Sequence, residues 1–400
     1  MNTNTNALAP AFRFPEFLKS GPWVMVKLSH ILNYERPDKF IVGSTDYVNK
    51  GTPVLTANKS FILGYTDEQD GIYRDLPAII FDDFTVQHRF VTFPFKVKSS
   101  AIKILKNKRP KDSLKFIHEL LLLINYDAKD HRRYYISTYQ DFEVPFPTHP
   151  QEQQRIAEAL ESIDGLILTH QAQLAHLENH QRSLIDGLFP QKAETAPKFR
   201  FPEFKDAPSW RKKNLGTEAD FFKGRGISKS QISADGQWPC IRYGELYTRY
   251  GEQIDEVFSR TDVDQAELFF SVANDVIIPA SGETQIDIAT ASCVLHDDIA
   301  LGGDLNVIRS SINGVFLAYY LNKVKKNEIA QMAQGNAVVH LYAHQLKTLN
   351  LLIPEPLEQS MIAECLTNLD ELINSQKSKI ALLERHKKSL RWKLFPKFSI

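Results

Sequence analysis

Residues 150–190 read PQEQQRIAEALESIDGLILTHQAQLAHLENHQRSLIDGLFP, and residues 356–396 read PLEQSMIAECLTNLDELINSQKSKIALLERHKKSLRWKLFP. Laid on one another without a gap, at an offset of 206, the two agree at 19 of 41 positions. In the first, Ile156, Leu160, Ile163, Ile167, His170, Leu174, Leu177, Gln181, Leu184 and Leu188 step alternately by four and three. In the second, Ile362, Leu366, Leu369, Ile373, Gln376, Ile380, Leu383, Lys387, Leu390 and Leu394 do the same. A mean step of ~3.5 residues is the period of a coiled-coil seam rather than of a broad globular face. Each segment opens after a proline and closes at Leu-Phe-Pro, where proline removes an amide donor and halts a helix. Gly165 and Gly187 interrupt the first copy only, at a cost of about 1 kcal/mol each. A helix of about 37 residues is roughly 55 Å long. A narrow apolar stripe of that length needs a partner, and the other copy supplies it. The helix-pair seam is therefore expected to comprise Ile156, Leu160, Ile163, Ile167, Leu174, Leu177, Ile362, Leu366, Leu369, Ile373, Ile380 and Leu383. The polar members His170/Gln376 and Gln181/Lys387 stand at matching places, where such residues set register or orientation.

Outward from these helices the repeat continues. Phe12-Arg13-Phe14-Pro15-Glu16-Phe17 recurs unchanged as Phe199-Arg200-Phe201-Pro202-Glu203-Phe204, an offset of 187, and Trp23/Trp210 and Leu28/Leu215 keep it. The offset grows by 19 between the two landmark sets, so the second copy carries about 19 extra residues there. One plan is written twice: a shared opening, a divergent body and a shared helix. That pattern fits one scaffold presenting two different surfaces.

Residues 23–148 and 210–354 form the two bodies, and both read as mixed α/β. The first holds the strand-like runs Ala78-Ile79-Ile80-Phe81 and Arg89-Phe90-Val91-Thr92-Phe93-Pro94-Phe95, then a helical stretch from Ser113 to Asn125. The second holds Asp275-Val276-Ile277-Ile278-Pro279 and Asn306-Val307-Ile308, then a helical stretch near Gly314 to Lys325.

With 48 Lys+Arg against 48 Asp+Glu the net charge is zero, which runs against the usual basic balance of a nucleic-acid binder. Locally the sum divides. Residues 23–145 carry +3 and residues 211–353 carry −3, and within the first body residues 86–133 reach +8. That window includes Lys103, Lys106, Lys108, Arg109, Lys111, Lys115 and Arg132-Arg133, followed by Tyr134-Tyr135, as expected for phosphate contacts beside aromatics. In the second body, Lys223-Gly224-Arg225-Gly226-Ile227-Ser228-Lys229 is a loop whose glycines would let backbone amides approach a phosphate. Candidate DNA-binding residues are His88, Arg89, Lys106, Lys108, Arg109, Arg132 and Arg133 in the first body. In the second they are Lys223, Arg225, Lys229, Arg242, Tyr243, Asn336 and His340.

Other classes recede. No G-x-x-x-x-G-K-[ST] or H-E-x-x-H motif occurs, and the pairs Asp82-Asp83 and Asp297-Asp298 lack the lysine and third carboxylate of a nuclease and read as turns. Cys240, Cys293 and Cys365 are odd in number and far apart, which excludes a disulfide framework and fits a reducing cytoplasm. No apolar run approaches the ~20 residues of a membrane span. Met1 to Pro10 lacks the pattern of a signal peptide. A reader rather than a catalyst is expected, with no catalytic or metal-ligating residues. The competing class is a duplicated coiled-coil adaptor whose bodies bind proteins without DNA readout.

Pro197-Lys198-Phe199-Arg200-Phe201-Pro202-Glu203-Phe204 with Trp210-Arg211-Lys212-Lys213-Asn214-Leu215-Gly216 resembles the opening of a recognition half in type I restriction–modification specificity (S) subunits. So do the Pro-x-Glu-Gln-x-x-Ile-Ala starts at Pro150 and Pro356, the Ser-Leu-x-x-x-Leu-Phe-Pro ends at Ser183 and Ser389, and Ile241-Arg242-Tyr243-Gly244-Glu245-Leu246. The resemblance implies a mixed α/β (α+β) fold with a pseudo-twofold internal repeat. Two target recognition domains of similar fold would be separated by two long antiparallel coiled-coil helices. Its divisions would be an N-terminal arm 1–22, recognition domain 23–148, spacer helix 149–190, linker 191–209, recognition domain 210–354 and spacer helix 355–400. It implies that each domain reads one half of a bipartite, asymmetric site in double-stranded DNA, and that the helices dock two methyltransferase (M) subunits and, with them, restriction (R) subunits. On this view the chain carries no cofactor, and S-adenosylmethionine, ATP and Mg²⁺ belong to the partners.

Overall fold

The computed structural model describes residues 8–58, 60–128, 132–191, 194–335 and 338–399. It divides into two compact units: the chain up to Gln171 together with Ser378 onward, and Ala172–Lys377. Both divisions fall inside long helices, so each unit owns one body and a half of each helix.

In the first unit, β1 (Val24–Lys27) pairs antiparallel with β9 (Glu143–Phe146). Between them β2 (Leu32–Glu35), β3 (Thr52–Leu55), β4 (Ile62–Thr66), β5 (Ala78–Asp82), β6 (His88–Val91), β7 (Lys96–Val97) and β8 (Ile102–Asn107) build two sheets, ordered β2-β8-β5-β6 and β4-β3-β7. Strand side chains alternate between faces, and β5 is buried on both. Ile79 and Phe81 join the core under α1 (Leu114–Leu121), while Ala78 and Ile80 join a second core with Leu55 and Val97. Ser113 caps α1 by accepting the Phe116 N–H at 3.2 Å. Then follows α2, Pro150–Leu188.

The second unit repeats this frame with more strands. β10 (Arg211–Asn214) pairs antiparallel with β16 (Asn350–Ile353). A five-stranded sheet runs in the order β11 (Ala219–Lys223), β15 (Leu305–Ser310), β13 (Val276–Pro279), β14 (Ser292–Val294), β12 (Gln253–Ile254). β13 divides its side chains between two cores as β5 does, with Val276 and Ile278 on one and Ile277 on the other. Asn313 caps α3 (Gly314–Lys323) by accepting the Phe316 N–H at 2.9 Å. A four-stranded sheet, in the order Ile232–Ser233, Ser259–Thr261, Trp238–Ile241, Ala300–Leu301, answers to β4-β3-β7 of the first unit, with Ile232–Ser233 added at one edge. The chain ends in α4, Pro356–Leu394.

The repeated residues close a latch in each unit. Arg13 donates from Nε and Nη2 to the two oxygens of Glu152, both at 2.7 Å, and the Trp23 indole donates to the same carboxylate at 3.1 Å. Arg200 grips Glu358 at 2.8 and 2.6 Å, and Trp210 donates to it at 3.3 Å. Each arginine also donates to the carbonyls that follow its 3-10 turn, Ser20 at 2.8 Å and Ala207 at 2.7 Å. The next residue, Gln153 or Gln359, accepts the backbone N–H of the α1 or α3 cap residue at 3.0 or 2.8 Å. Phe12 N–H donates to Lys393 O, and Phe199 N–H to Gly187 O, each at 2.8 Å. Leu394-Phe395 enters the core of Trp23 and Phe116, and Leu188-Phe189 enters that of Trp210 and Phe316. The end of each helix thus completes the core of the unit it reaches.

The helices pair antiparallel. In the first unit Lys387 reaches Asp164 at 2.6 Å, and in the second Gln376 donates to Gln173 at 2.9 Å and Gln181 donates to Asp370. Of the seam positions, Ile156, Leu160, Ile167, Ile362, Leu366, Leu369, Ile373 and Ile380 are buried, and Ile163, Leu174, Leu177 and Leu383 are half-buried.

Equivalent polar positions carry opposite chemistry. Glu119, wholly buried in α1, is held by Lys115 at 3.0 Å, Lys387 at 3.1 Å and Arg391 at 2.7 Å. Burial alone would raise its pKa, but the three cations reverse this and hold the carboxyl below its ordinary value. In the second unit Tyr319 stands where Glu119 does and Gln181 where Lys387 does, so the cations are gone. Asp370 accepts from Tyr319 and Gln181, and burial raises its pKa. The signs are opposite. Glu119 stabilises above the unfolded carboxylate range, and that contribution is lost as pH falls through its lowered folded value. Asp370, with a raised folded value, favours folding only at low pH and opposes it as pH rises through that value. Asp370→Asn is therefore expected to stabilise the chain by about 1 kcal/mol at pH 7. Urea midpoints measured down to pH 4 check it, since the gain should shrink with acidification. A constant gain would mean that charge is not its source.

Candidate nucleic-acid interface

Most of the basic run in the first unit is spent on the fold. Lys103 is buried, 3.4 Å from Asp83. Lys106 donates to Asp75 O, Asp75 Oδ1 and Pro77 O at 2.9, 2.9 and 3.0 Å. Lys108 donates to Ser29 O at 3.1 Å, Arg109 pairs with Asp112 at 2.6 Å and lies over Phe146, and Lys115 holds Glu119 and Asp164. Lys103 and Lys115 are thus committed to the buried carboxylates of Asp83 and Glu119, while Lys106, Lys108 and Arg109, the expected DNA contacts, hold partners at or near the surface and the last two stay exposed. His88, also an expected contact, packs beside aromatic rings. It alternates inward with Phe90, lies parallel to the Phe81 ring and edge-on to His118, and burial pushes its pKa down to about 4. The imidazole is half-buried and turned toward these rings.

Arg89, Arg132 and Arg133 are exposed. Arg132 lies over Tyr134 and Arg133 over Phe84. The Asp82 carboxylate accepts the Phe84 and Thr85 amides to shape the β5–β6 turn, and Val86 there has a φ of 54°. Tyr134 and Tyr135 donate their amides to Asp83 O and its carboxylate, each at 2.8 Å. The turn and residues 132–135 are thereby fastened together. They present Arg132, Arg133 and the exposed Thr85 and Gln87, the last two missed by a search weighted to charge.

In the second unit the Gly-rich loop is not an open phosphate cradle. Gly224 N–H donates to Leu305 O at 3.0 Å and Arg225 N–H to Leu301 O at 2.9 Å. A Cβ on Gly224 would lie 2.0 Å from Gly302 O, so glycine is required because two backbones cross. Lys223, Arg225 and Lys229 project from this crossing into solvent. Beneath it a concavity of about 440 Å³ is lined by Gly226, Ile227, Ser228, Gln231, Arg242, Tyr243, Gly302, Gly303 and Asp304. His340 is exposed and stacks on Tyr342, 6.2 Å between centroids, and Tyr342 stacks on His344 at 5.6 Å. The alternation of His340, Tyr342 and His344 was the available signal for this ladder, of which only His340 was expected. Asn336 lies outside the described residues.

Among the described residues no three His, Cys, Asp or Glu side chains are grouped to hold a metal. Burial pushes the Cys240 and Cys293 thiols up to about 12, so neither is a thiolate at neutral pH. Asp83 stands in the β5–β6 turn with its buried carboxylate 3.4 Å from Lys103, and Asp297 accepts the Ala273 amide at 2.7 Å. Among the described residues no helix is long and apolar enough to cross a membrane.

Known proteins match the whole plan. The type I restriction modification DNA specificity domain matches residues 21–179 and again 209–385. The specificity subunit of the Escherichia coli type I restriction enzyme EcoR124I/EcoR124II is 28% identical over 366 residues, 87% of each chain. The crystal structure of a type I restriction–modification S subunit from M. genitalium superposes with a TM-score of 0.66 at 14% identity, covering 98% of this chain and 100% of that one. A chain from a structural study of complex assembly and conformational transition in a type I system gives 0.53 at 14% identity, covering 94% and 97%.

Proposed function

The chain belongs to the type I restriction–modification DNA specificity family, and we propose that it is the non-catalytic subunit that reads a bipartite, asymmetric site in double-stranded DNA. One observation carries the bipartite reading. The Arg–Glu–Trp latch, the helix caps and the end-of-helix aromatics are built twice alike, whereas the exposed tips held by that frame differ. Tips of Arg132, Arg133, Thr85 and Gln87 read one half-site, and tips of Arg225, Lys229, Arg242 and Tyr243 read the other. α2 and α4 set the unread distance between them and dock two methyltransferase subunits, through which restriction subunits join. The chain takes no cofactor: S-adenosylmethionine, ATP and Mg²⁺ act on those partners, in the cytoplasm.

A net charge of zero and a basic run spent internally make the free chain a weak DNA ligand. A gel shift should show little binding to random duplex by the chain alone and tight binding once a co-expressed methyltransferase subunit encloses the DNA. In that complex, Arg132→Gln with Arg133→Gln should lower the salt dependence of binding by about one phosphate per lost contact. An unchanged slope removes these arginines from the interface. A chain that co-purifies with proteins yet never confers sequence-specific binding supports the adaptor reading instead.

A further inference from the structure

Half-buried arginines in this protein are consistently satisfied, with one exception. Arg13 and Arg200 grip glutamates, Arg260 donates to Gly236 and Gln237 carbonyls, Arg309 clasps Asp275, and Arg391 clasps Glu119. Arg242 is half-buried as they are and lines the concavity, yet among the described residues its guanidinium has no hydrogen bond or ion pair. A half-buried guanidinium that no protein acceptor claims, at the wall of an open concavity, is placed to meet an acceptor that arrives from outside.

The walls narrow down that acceptor. Asp304 lines the same concavity, exposed and likewise unpaired among the described residues. Its backbone is fixed, since its carbonyl accepts the Ala280 amide at 2.8 Å and the preceding Gly303 N–H donates to Gly226 O at 3.0 Å. Gly302 N–H donates to Ile241 O at 2.9 Å, and a Cβ at Gly302 would crowd that oxygen at 3.2 Å and touch Arg242. A phosphate suits the cation but is repelled by the carboxylate. A guanine–cytosine pair suits both: in the major groove guanine presents the O6 and N7 acceptors, and cytosine presents the N4 amine as donor.

We propose that Arg242 and Asp304 read one G·C pair in the half-site bound by the second body, with Arg242 donating to guanine and Asp304 accepting from cytosine. The assignment rests on the DNA-reading function proposed above. Arg242→Gln, Arg242→Lys and Asp304→Asn would each be purified with the methyltransferase subunit, and the modified sequences read from a random duplex pool. Arg242→Lys keeps the charge but loses the bidentate fork, so it should relax guanine selection as Arg242→Gln does. The expected result is roughly 5- to 150-fold weaker discrimination at one position of one half-site. The other half-site, the spacer and the salt slope should stay unchanged. Thermal melts matching the parent would place the effect in readout, and Asp304→Asn, at an exposed side chain, gives the test if the Arg242 variants do not fold. An unaltered motif in the variants overturns the assignment, as does uniform weakening over all sequences with a salt slope lowered by about one. A parent complex that modifies no specific sequence overturns the DNA-reading function itself.

Discussion

Replacing Glu152 by alanine is expected to cost about 3–5 kcal/mol of folding stability, and Glu358→Ala about the same. Glu152 is 1% exposed and receives three hydrogen bonds, two from Arg13 and one from Trp23. Its removal strands a largely buried guanidinium and a buried indole N–H, and the uncompensated charge sets the size of the loss. Glu152→Gln should lose less, because the amide oxygen still accepts a hydrogen bond and fills the same volume. Glu158, exposed on the same helix, serves as the control, since Glu158→Ala should stay within about 0.5 kcal/mol. Urea denaturation checks all four substitutions. A loss below about 1 kcal/mol for Glu152→Ala would demote the latch to an incidental contact. The latch belongs to the frame, so the DNA sequence recognised should not change, and any altered base in the modified motif would contradict that division.

What the sequence disclosed follows from the range of each interaction. The helices were legible because a 3.5-residue period and bounding prolines are local. Their antiparallel pairing agrees with the family resemblance, and the polar matches at Gln181 and Lys387 are the groups that bridge to Asp370 and Asp164. The latch was visible only as identities. Arg13 and Glu152 are 139 positions apart, and nothing local says that they touch. A usable signal existed: Arg13/Arg200, Trp23/Trp210, Glu152/Glu358 and Gln153/Gln359 stay alike where the bodies diverge, as residues that bind one another must.

The recognition surfaces were the least legible part. A count of lysines and arginines does not know that Asp75, Asp112 and Glu119 pair with Lys106, Arg109 and Lys115, so it overstates the free charge of the run. Strand alternation separates two neighbouring candidates, for with Phe90 inward His88 is half-buried and it is Arg89 that faces out. In the Gly-rich loop the glycines were correctly singled out but answer to a backbone crossing. Arg242 stands out only in three dimensions, by what it lacks.

Deleting one heptad from each long helix is expected to shorten the unread spacer of the DNA site by about 3 base pairs, at ~1.5 Å of helix per residue and ~3.4 Å per base pair. The cut must keep the seam in phase and remove facing segments together. Contacts such as Asp164–Lys387 and Gln173–Gln376 show how positions face, so residues 171–177 and 373–379 form a matched pair. Their loss joins Ile167 and His170 in the same four-three rhythm to Gln181 and Leu184, and Leu366 and Leu369 to Ile380 and Leu383. It removes Gln173 and Gln376 together, so neither amide of that hydrogen bond is left behind, and it spares Asp164–Lys387 and Gln181–Asp370. A deletion in one helix alone breaks the facing register, buries polar groups against apolar ones and should prevent folding. With both helices cut, each latch and each set of tips is untouched, so the half-site bases should persist while their separation falls. Sequencing the modified sites of cells carrying the deletion measures both quantities at once. Half-sites that change while the spacer holds would show that the helices do not set the distance, and would move that role to the partner subunits.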